Sequence, residues 1–269
     1  MFLLPPSDGR APYVKGDPMG LRLEGKTALV TGAGSGIGLA VAQRFVTEGA
    51  TVYFADINVE AAEKAAAATG ASGARALRMD ISDEEGVIAA YAEVAAAGQL
   101  DVVVANAGVQ LFGQDAKVGD LDLAVLEKTV TINQRGAFLT LKHAVRAMEG
   151  RGGSIICTGS PTAVVACGQT FTAYTSSKAG VHGLARVVAA DYAHAGIRVN
   201  IVVPGYTETP LVQAIAEDPV SRAGLVNSTM LGRPGTAADV EGIMVFLASD
   251  DSAYATGGIF TVDGGLTAL

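Results

Sequence analysis

The 269-residue sequence is poor in the residues that would announce a metal, a membrane or a nucleic acid. It has two cysteines, Cys157 and Cys167, too few for a disulfide framework, and this fits a reducing, cytoplasmic setting. Its three histidines, His143, His182 and His194, are scattered over predicted helices without carboxylates at a ligand spacing. No metal site is expected, and all three read as surface or packing residues. No apolar run is long enough for a membrane span, and no signal peptide reads out of the first residues. Cations are few: 19 Lys and Arg against 27 Asp and Glu leave a formal net charge of −8, with no basic run to offset it locally. That field repels a phosphate backbone and excludes nucleic acid as an expected partner. Internal repeats and low-complexity linkers are missing too.

What is present is core. Hydrophobic residues make up 49% and charged residues 17%, enough to expect a single domain. Residues 1–20 differ, with Pro5, Pro6, Pro12 and Pro18 around one apolar cluster at Phe2-Leu3-Leu4. They are expected to form a disordered arm or an upstream start, with Met19 as an equally good first residue, and residues 21–269 to form the folded domain. From Lys26 onward, short Val-, Ile- and Thr-rich runs alternate with Ala-rich helical stretches, the pattern of βαβ units around a parallel sheet with helices on both faces. Strands are expected at Thr27–Thr31, Thr51–Ala55, Ala74–Met79, Asp101–Ala105, Ser154–Cys157, Arg198–Val203 and Ile259–Val262. Asn58 and Ser82 have the position of helix N-caps, and Ser82 with Glu85 and Thr236 with Asp239 have the capping-box spacing. Ligands of such sheets bind at the strands' carboxyl ends, where the strand order reverses. The stretch Tyr206–Leu231 lacks periodicity and is a candidate lid.

The first strand runs into Thr31-Gly32-Ala33-Gly34-Ser35-Gly36-Ile37-Gly38. Glycines here let the backbone turn tightly and approach a pyrophosphate at a helix N-terminus, although the GxGxxG spacing fails at Ile37 and a plain tight turn would also serve. Farther on, Tyr174 and Lys178 stand at i and i+4, on one face of a helix, where an ammonium can favour a phenolate whose ordinary pKa is about 10. On those two residues alone, a packed tyrosine beside a solvated lysine is the usual account. Ser160 ends the apolar run Gly153–Gly159, and Asp56 ends the second strand. A serine bonding local turn amides and a turn aspartate are the plain alternatives.

Taken together, the TGxxxGxG turn, Asn106-Ala107-Gly108, Asn133, Ser160, Tyr174 with Lys178, Pro204-Gly205 and Val262-Asp263-Gly264-Gly265 resemble the classical short-chain dehydrogenase/reductase family over nearly everything after Leu21. The resemblance implies a Rossmann-like doubly wound parallel sheet. It also implies hydride transfer between NAD(H) and a secondary alcohol or its ketone, with Tyr174 as general acid/base and no metal. Lys178 would also hold the nicotinamide ribose, Ser160 the substrate oxygen, and Asn133 would bend its helix and anchor a water leading from the lysine to solvent. The implied cofactor contacts are Gly32, Ser35, Gly36, Ile37, Gly38, Asp56, Ile57, Asp80, Ile81, Asn106, Ala107, Gly108, Tyr174, Lys178, Pro204, Gly205, Thr207 and Thr209. Asp56 would grip the adenosine ribose, and Thr209 the nicotinamide carboxamide. The chain departs from the family's pattern at Ala105, Cys157 and Gly159, where the family usually has Asn, Asn and Ser.

Substrate fit is expected to depend on Pro161–Thr170 and Tyr206–Leu231. Ala163, Val164, Val165, Cys167 and Leu211 would supply apolar wall, Gln110, Gln169 and Thr170 could bond hydroxyls, and Arg222 could anchor a carboxylate. Ala179, Gly180, Gly183, Ala185, Ala189 and Ala190 give the helix after Tyr174 a small-residue surface, either for its own sheet or, by the resemblance, for joining subunits into a dimer or tetramer. Two further readings are an NADPH-dependent reductase of carrier-bound 3-oxoacyl groups, which would want basic residues for an acidic carrier, and a dinucleotide-binding regulator without turnover.

Overall fold

The computed structural model describes residues 20–167 and 169–268. The expected arm lies outside the described residues except for Gly20. The elements are β1 (Thr27–Thr31), α1 (Gly36–Thr47), β2 (Thr51–Asp56), α2 (Val59–Ala67), β3 (Ala74–Arg78), α3 (Glu84–Ala97), β4 (Val102–Ala105) and α4 (Leu123–Val130). A π-helical turn at Thr131–Arg135 leads into α5 (Gly136–Met148), β5 (Gly153–Thr158), α6 (Thr172–Tyr192), β6 (Ile197–Pro204), α7 (Gln213–Ala216), α8 (Pro219–Asn227), α9 (Ala237–Ala248) and β7 (Ile259–Val262). All seven expected strands are present, with ends shifted by a residue or so.

The strands form one sheet in the order β3-β2-β1-β4-β5-β6-β7, parallel at every pairing. Alternation of side chains along each strand builds two cores. Leu29, Tyr53, Val103, Ile155 and Val199 face α3, α5 and α6, whereas Ala28, Val30, Val52, Val104 and Ile156 face α1, α2 and α9. Strands buried on both faces read as continuous Val/Ile runs, which is why their periodicity in the sequence is weak but their location is clear. Because β1 pairs with both β2 and β4, the strand order reverses between β1 and β4, and the loops that follow these two strands diverge around a crevice.

One local expectation needs correction. Ser82 does not cap α3: Asp83 does, its carboxylate accepting from the Glu85 and Gly86 amides, while the Ser82 hydroxyl donates to Asp80. A carboxylate one residue nearer the helix reaches the free N–H groups that the hydroxyl would have taken. Within Tyr206–Leu231, the stretch without clear periodicity, lie α7 and α8, and Asp218 caps α8 by accepting from Val220 and Ser221. Their shortness hid them from periodicity. Asn58 caps α2 and Thr236 with Asp239 forms a capping box, both as expected.

Candidate active site

The turn after β1 delivers the N-terminus of α1 to the crevice. Gly36, the first helical residue, has φ +57, a backbone that side-chain-bearing residues rarely adopt. The Ser35 side chain makes no capping bond, and the first turn holds no acidic residue, so the positive end of the helix is left for an anion. One turn on, a side chain at Gly38 would collide with the Gly32 carbonyl and the Asn106 amide. Gly38 therefore serves close packing of helix against strand rather than contact with a ligand. Asn106 holds the β4 end to the β1 end: its N–H donates to Thr31 Oγ1 at 3.0 Å and its Nδ2 to the Thr31 carbonyl at 3.1 Å. Asp56, at the end of β2, accepts from the Gly34 amide at 2.9 Å through Oδ2 and from the Asn58 amide at 2.9 Å through Oδ1. It is a turn aspartate that also lines the cavity.

At the other side of the crevice, β5 ends at Thr158 and the chain turns through Gly159 and Ser160 toward α6. Ser160, Tyr174 and Lys178 are all buried, and all three line the same cavity. The Lys178 ammonium donates to the Thr158 carbonyl at 2.9 Å and sits 5.9 Å from the centre of the Tyr174 ring. Burial pushes the Tyr174 phenol up to about 12, opposed by a hydrogen bond with the Ser160 side chain. Burial also brings Lys178 down to about 8. Loss of water around the phenolate thus works against the lowering expected from Lys178.

The catalytic-face end of α6 is itself anchored from outside. Asp115, in the β4–α4 connection, accepts from the backbone N–H of Ala173 at 3.0 Å and of Tyr174 at 2.9 Å. Sequence reasoning missed this cap because it comes from a distant loop rather than from the residue preceding the helix. Asn133 lies in the π-helical turn, a widened coil of the kind that recurs at functional sites. Its Oδ1 accepts from the Val109 N–H at 2.7 Å, and its Nδ2 donates to the Val109 carbonyl at 2.9 Å and to Ser177 Oγ at 3.0 Å. It stands behind the cavity wall rather than in it.

Gly159 has a partner that explains it. The buried His182 places Nε2 3.4 Å from the Ser160 amide nitrogen, and a Cβ at residue 159 would overlap that ring nitrogen. Burial, with Lys178 and Arg186 nearby, lowers the His182 pKa to about 4, so the ring is neutral and can accept from the Ser160 N–H. His182, expected to be a surface or packing residue, is a packing residue, buried against the Ser160 turn. His143 is also buried, with Glu84 3.2 Å away, while His194 is exposed.

These elements enclose a cavity of about 720 Å³. Of the expected cofactor contacts, all but Gly38 line it, from Asp56 and Ile57 at one end through Asp80, Ile81, Ala107 and Gly108 to Thr207 and Thr209. Of the expected substrate wall, Gln110, Cys167 and Leu211 line it, whereas Ala163, Val164, Val165, Gln169, Thr170 and Arg222 do not. Of these, Ala163 ends the helical turn Pro161–Ala163, and Arg222 is paired with Glu208 at 2.7 Å. Phe171, Tyr206, Val212, Ile215 and Leu225 supply wall that composition alone did not single out.

The family model described as Enoyl-(Acyl carrier protein) reductase matches residues 32–267. The chain belongs to the classical short-chain dehydrogenase/reductase family. It is 40% identical to cis-4-hydroxycyclohexanecarboxylate dehydrogenase of Sinomonas cyclohexanicum, over 93% of this chain and 100% of that one. It is 39% identical to 2,5-dichloro-2,5-cyclohexadiene-1,4-diol dehydrogenase of Sphingobium indicum, over 92% and 99%. Among solved structures it resembles a gluconate 5-dehydrogenase from Burkholderia cenocepacia in complex with NADP and tartrate, with TM-score 0.87 and 33% identity over 93% of this chain and 98% of that one. The protein is an oxidoreductase acting on CH–OH groups, and its family binds a nicotinamide dinucleotide. The residues present fit that group: an open helix N-terminus for the pyrophosphate, a carboxylate at the β2 end for the ribose, and a buried ammonium at the far end. Among the described residues no helix is long and apolar enough to cross a membrane.

Proposed function

We propose that the protein is an NAD-dependent dehydrogenase/ketoreductase in which Tyr174 is the general acid/base for interconversion of a secondary alcohol and its ketone. The observation that carries this reading is the convergence of Ser160, Tyr174 and Lys178 at one end of a cavity whose other end holds the α1 N-terminus and Asp56. A bound nicotinamide would accept or supply the hydride at its C4, and its oxidised form would add the positive charge that favours the phenolate. Ser160 and Tyr174 together present two hydroxyls to one substrate oxygen, where charge develops, and such paired donors stabilise it without reorganising at the moment of reaction. Tyr174 then gives or takes the proton. Lys178 is placed to bond the nicotinamide ribose and to return the proton toward Asn133 and solvent.

Asp56 supports NAD over NADP. Its carboxylate ends β2 at the cavity, where the family's acidic residue would grip the adenosine ribose, and NADP carries a phosphate at that ribose. Two like charges about 4 Å apart repel by roughly 1 to 4 kcal/mol as the effective dielectric falls from that of water to about 20, a preference of about 5- to 1000-fold. Arg78, its register partner on β3, does not line the cavity to reverse that field. The exposed Ala179 and Ala190 on α6 are consistent with a homo-oligomer, although Ala185 and Ala189 are spent on the protein's own core.

The test is a panel of secondary alcohols and ketones with NAD and NADP, read by nicotinamide absorbance on wild type, Tyr174→Phe and Asp56→Ala. Tyr174→Phe should lower kcat at least ~100-fold while NADH still binds. Asp56→Ala should erase most of the discrimination between the two cofactors. Undiminished turnover in the first variant removes the proposed mechanism, and equal kcat/KM for both cofactors in wild type removes the NAD preference.

A further inference from the structure

The charges around the cavity are unevenly placed. Among the described residues that line it, Asp56, Asp80 and Lys178 are the charged ones. Asp56 sits at the β2 end, Asp80 is turned onto the Ser82 amide and hydroxyl, and Lys178 donates to the Thr158 carbonyl. None belongs to the β5–α6 connection or to the segment after β6, which form the wall on the Ser160 and Tyr174 side. That wall instead presents the apolar Cys167, Phe171, Leu211, Val212, Ile215 and Leu225 beside the neutral polar Gln110, Tyr206, Thr207, Thr209 and Ser228. The nearest cation of the covering segment, Arg222, is outside the cavity, and its Nε is bonded to Glu208 Oε1 at 2.7 Å. The polar groups on this side are neutral: among the described residues Tyr206 Oη is buried without a hydrogen-bond partner, and the Thr162 hydroxyl is within 3.0 Å of Ser160 Oγ.

Resting on the oxidoreductase reading above, we propose that the substrate is an uncharged, compact, largely apolar secondary alcohol or ketone. A carboxylate, sulfonate or phosphate on the substrate would enter this wall without a counter-charge, and an ion removed from water without a partner is strongly disfavoured. A polyol is disfavoured for a related reason: hydroxyls beyond the few that Tyr206 and its neutral polar neighbours can partner would exchange water for methyl and phenyl groups. An apolar ring gains from the same surfaces. Size follows from volume, since a cofactor and a substrate must share about 720 Å³, within the roughly 300 to 1,000 Å³ that a single drug-sized ligand usually occupies.

The experiment compares kcat/KM for 4-methylcyclohexanol, 4-hydroxycyclohexane-1-carboxylate and a hexitol, with saturating NAD, in wild type, Leu211→Arg and Leu225→Arg. Both substituted positions are in short helical segments without buried residues, so an arginine there can be accommodated by the fold. The methyl compound should exceed the carboxylate and the hexitol by at least about tenfold in wild type. Either arginine should narrow the methyl-to-carboxylate ratio by at least about threefold, because it supplies the missing counter-charge. A carboxylate or hexitol turned over as well as the methyl compound, with activity that disappears in Tyr174→Phe, overturns this substrate class and leaves the oxidoreductase reading intact. Absence of any Tyr174-dependent turnover across the panel overturns both.

Discussion

Two walls of the same cavity are built in opposite ways. The wall at the ends of β4 and β5 and along α6 is held by buried side chains and by bonds from distant parts of the chain: eight residues of α6 are buried, and Asp115, Asn133 and His182 each brace it. The wall after β6 rests on α7 and α8, neither of which has a buried residue. That covering segment is pinned mainly at its base, where the Gly235 amide donates to the Tyr206 carbonyl and the Glu208 amide to the Gly235 carbonyl. Elements with little burial open at low free-energy cost, whereas proton transfer needs atoms held within a fraction of an ångström. Under the proposed function, the braced wall would hold the chemistry and the covering one would admit substrate.

The comparison breaks most sharply at Asp115. Asp115→Ala removes a charged acceptor from the first turn of α6, and hydrogen bonds to charged groups contribute about 1.5 to 3 kcal/mol. The expected outcome is a lowered Tm by calorimetry together with a lowered kcat, since the Tyr174 N–H loses its partner, and Asp115→Asn should recover part of both. A loss of stability with kcat unchanged would show that the cap serves folding alone.

Next in size is Gly159→Ser. The added Cβ meets His182 and must displace the ring or the Ser160 turn, a misfit of roughly 1 to 3 kcal/mol. We expect kcat to fall in the single variant, and a second change, His182→Ala, to restore part of it by vacating the space. A double variant no better than Gly159→Ser would remove the steric account.

A smaller and pH-dependent effect belongs to His182 itself. Its folded pKa, lowered to about 4, lies below the ordinary value of 6.5, so on acidification the unfolded chain takes the proton first. The stability this group contributes is present above pH 6.5 and is lost as pH falls through the window from 6.5 to 4. In thermal melts across that window, wild type should lose Tm relative to His182→Gln, with a constant difference above it. Parallel curves throughout would mean that the ring is not held neutral.

The smallest effect is expected on the covering wall. Val220, on α8, is 81% exposed, and Val220→Ala should change stability by no more than about 0.5 kcal/mol and leave kcat untouched. Hydrogen exchange should show the α7 and α8 amides exchanging well before those of α6. Equal protection of the two walls would erase the contrast drawn between them.

The strands, their parallel order and the main cofactor turn were legible in the sequence because their determinants are local: apolar runs, glycines at a fixed spacing, and Tyr174 and Lys178 one helical turn apart. Asn58, Thr236 and Asp239 could be read as caps for the same reason, since a cap and the amides it bonds lie within a few residues. Asp115, His182 and the apolar faces of Phe171, Ile215 and Leu225 could not. Asp115 meets the amides of α6 only after β5 has crossed the sheet, and His182 meets Ser160 only because α6 packs back against the end of β5. The side chains of Val164 and Leu211 have the same chemistry, and backbone direction alone put Leu211 in the cavity and Val164 outside it. The sequence by itself thus determined which elements form and which groups can move a proton or meet an anion, because those properties belong to residues and their near neighbours. Tertiary structure alone decided that the phenol rises to about 12, that Arg222 is spent on Glu208 and that one side of the cavity carries no charge, because burial and long-range contact arise only when segments distant along the chain are packed together.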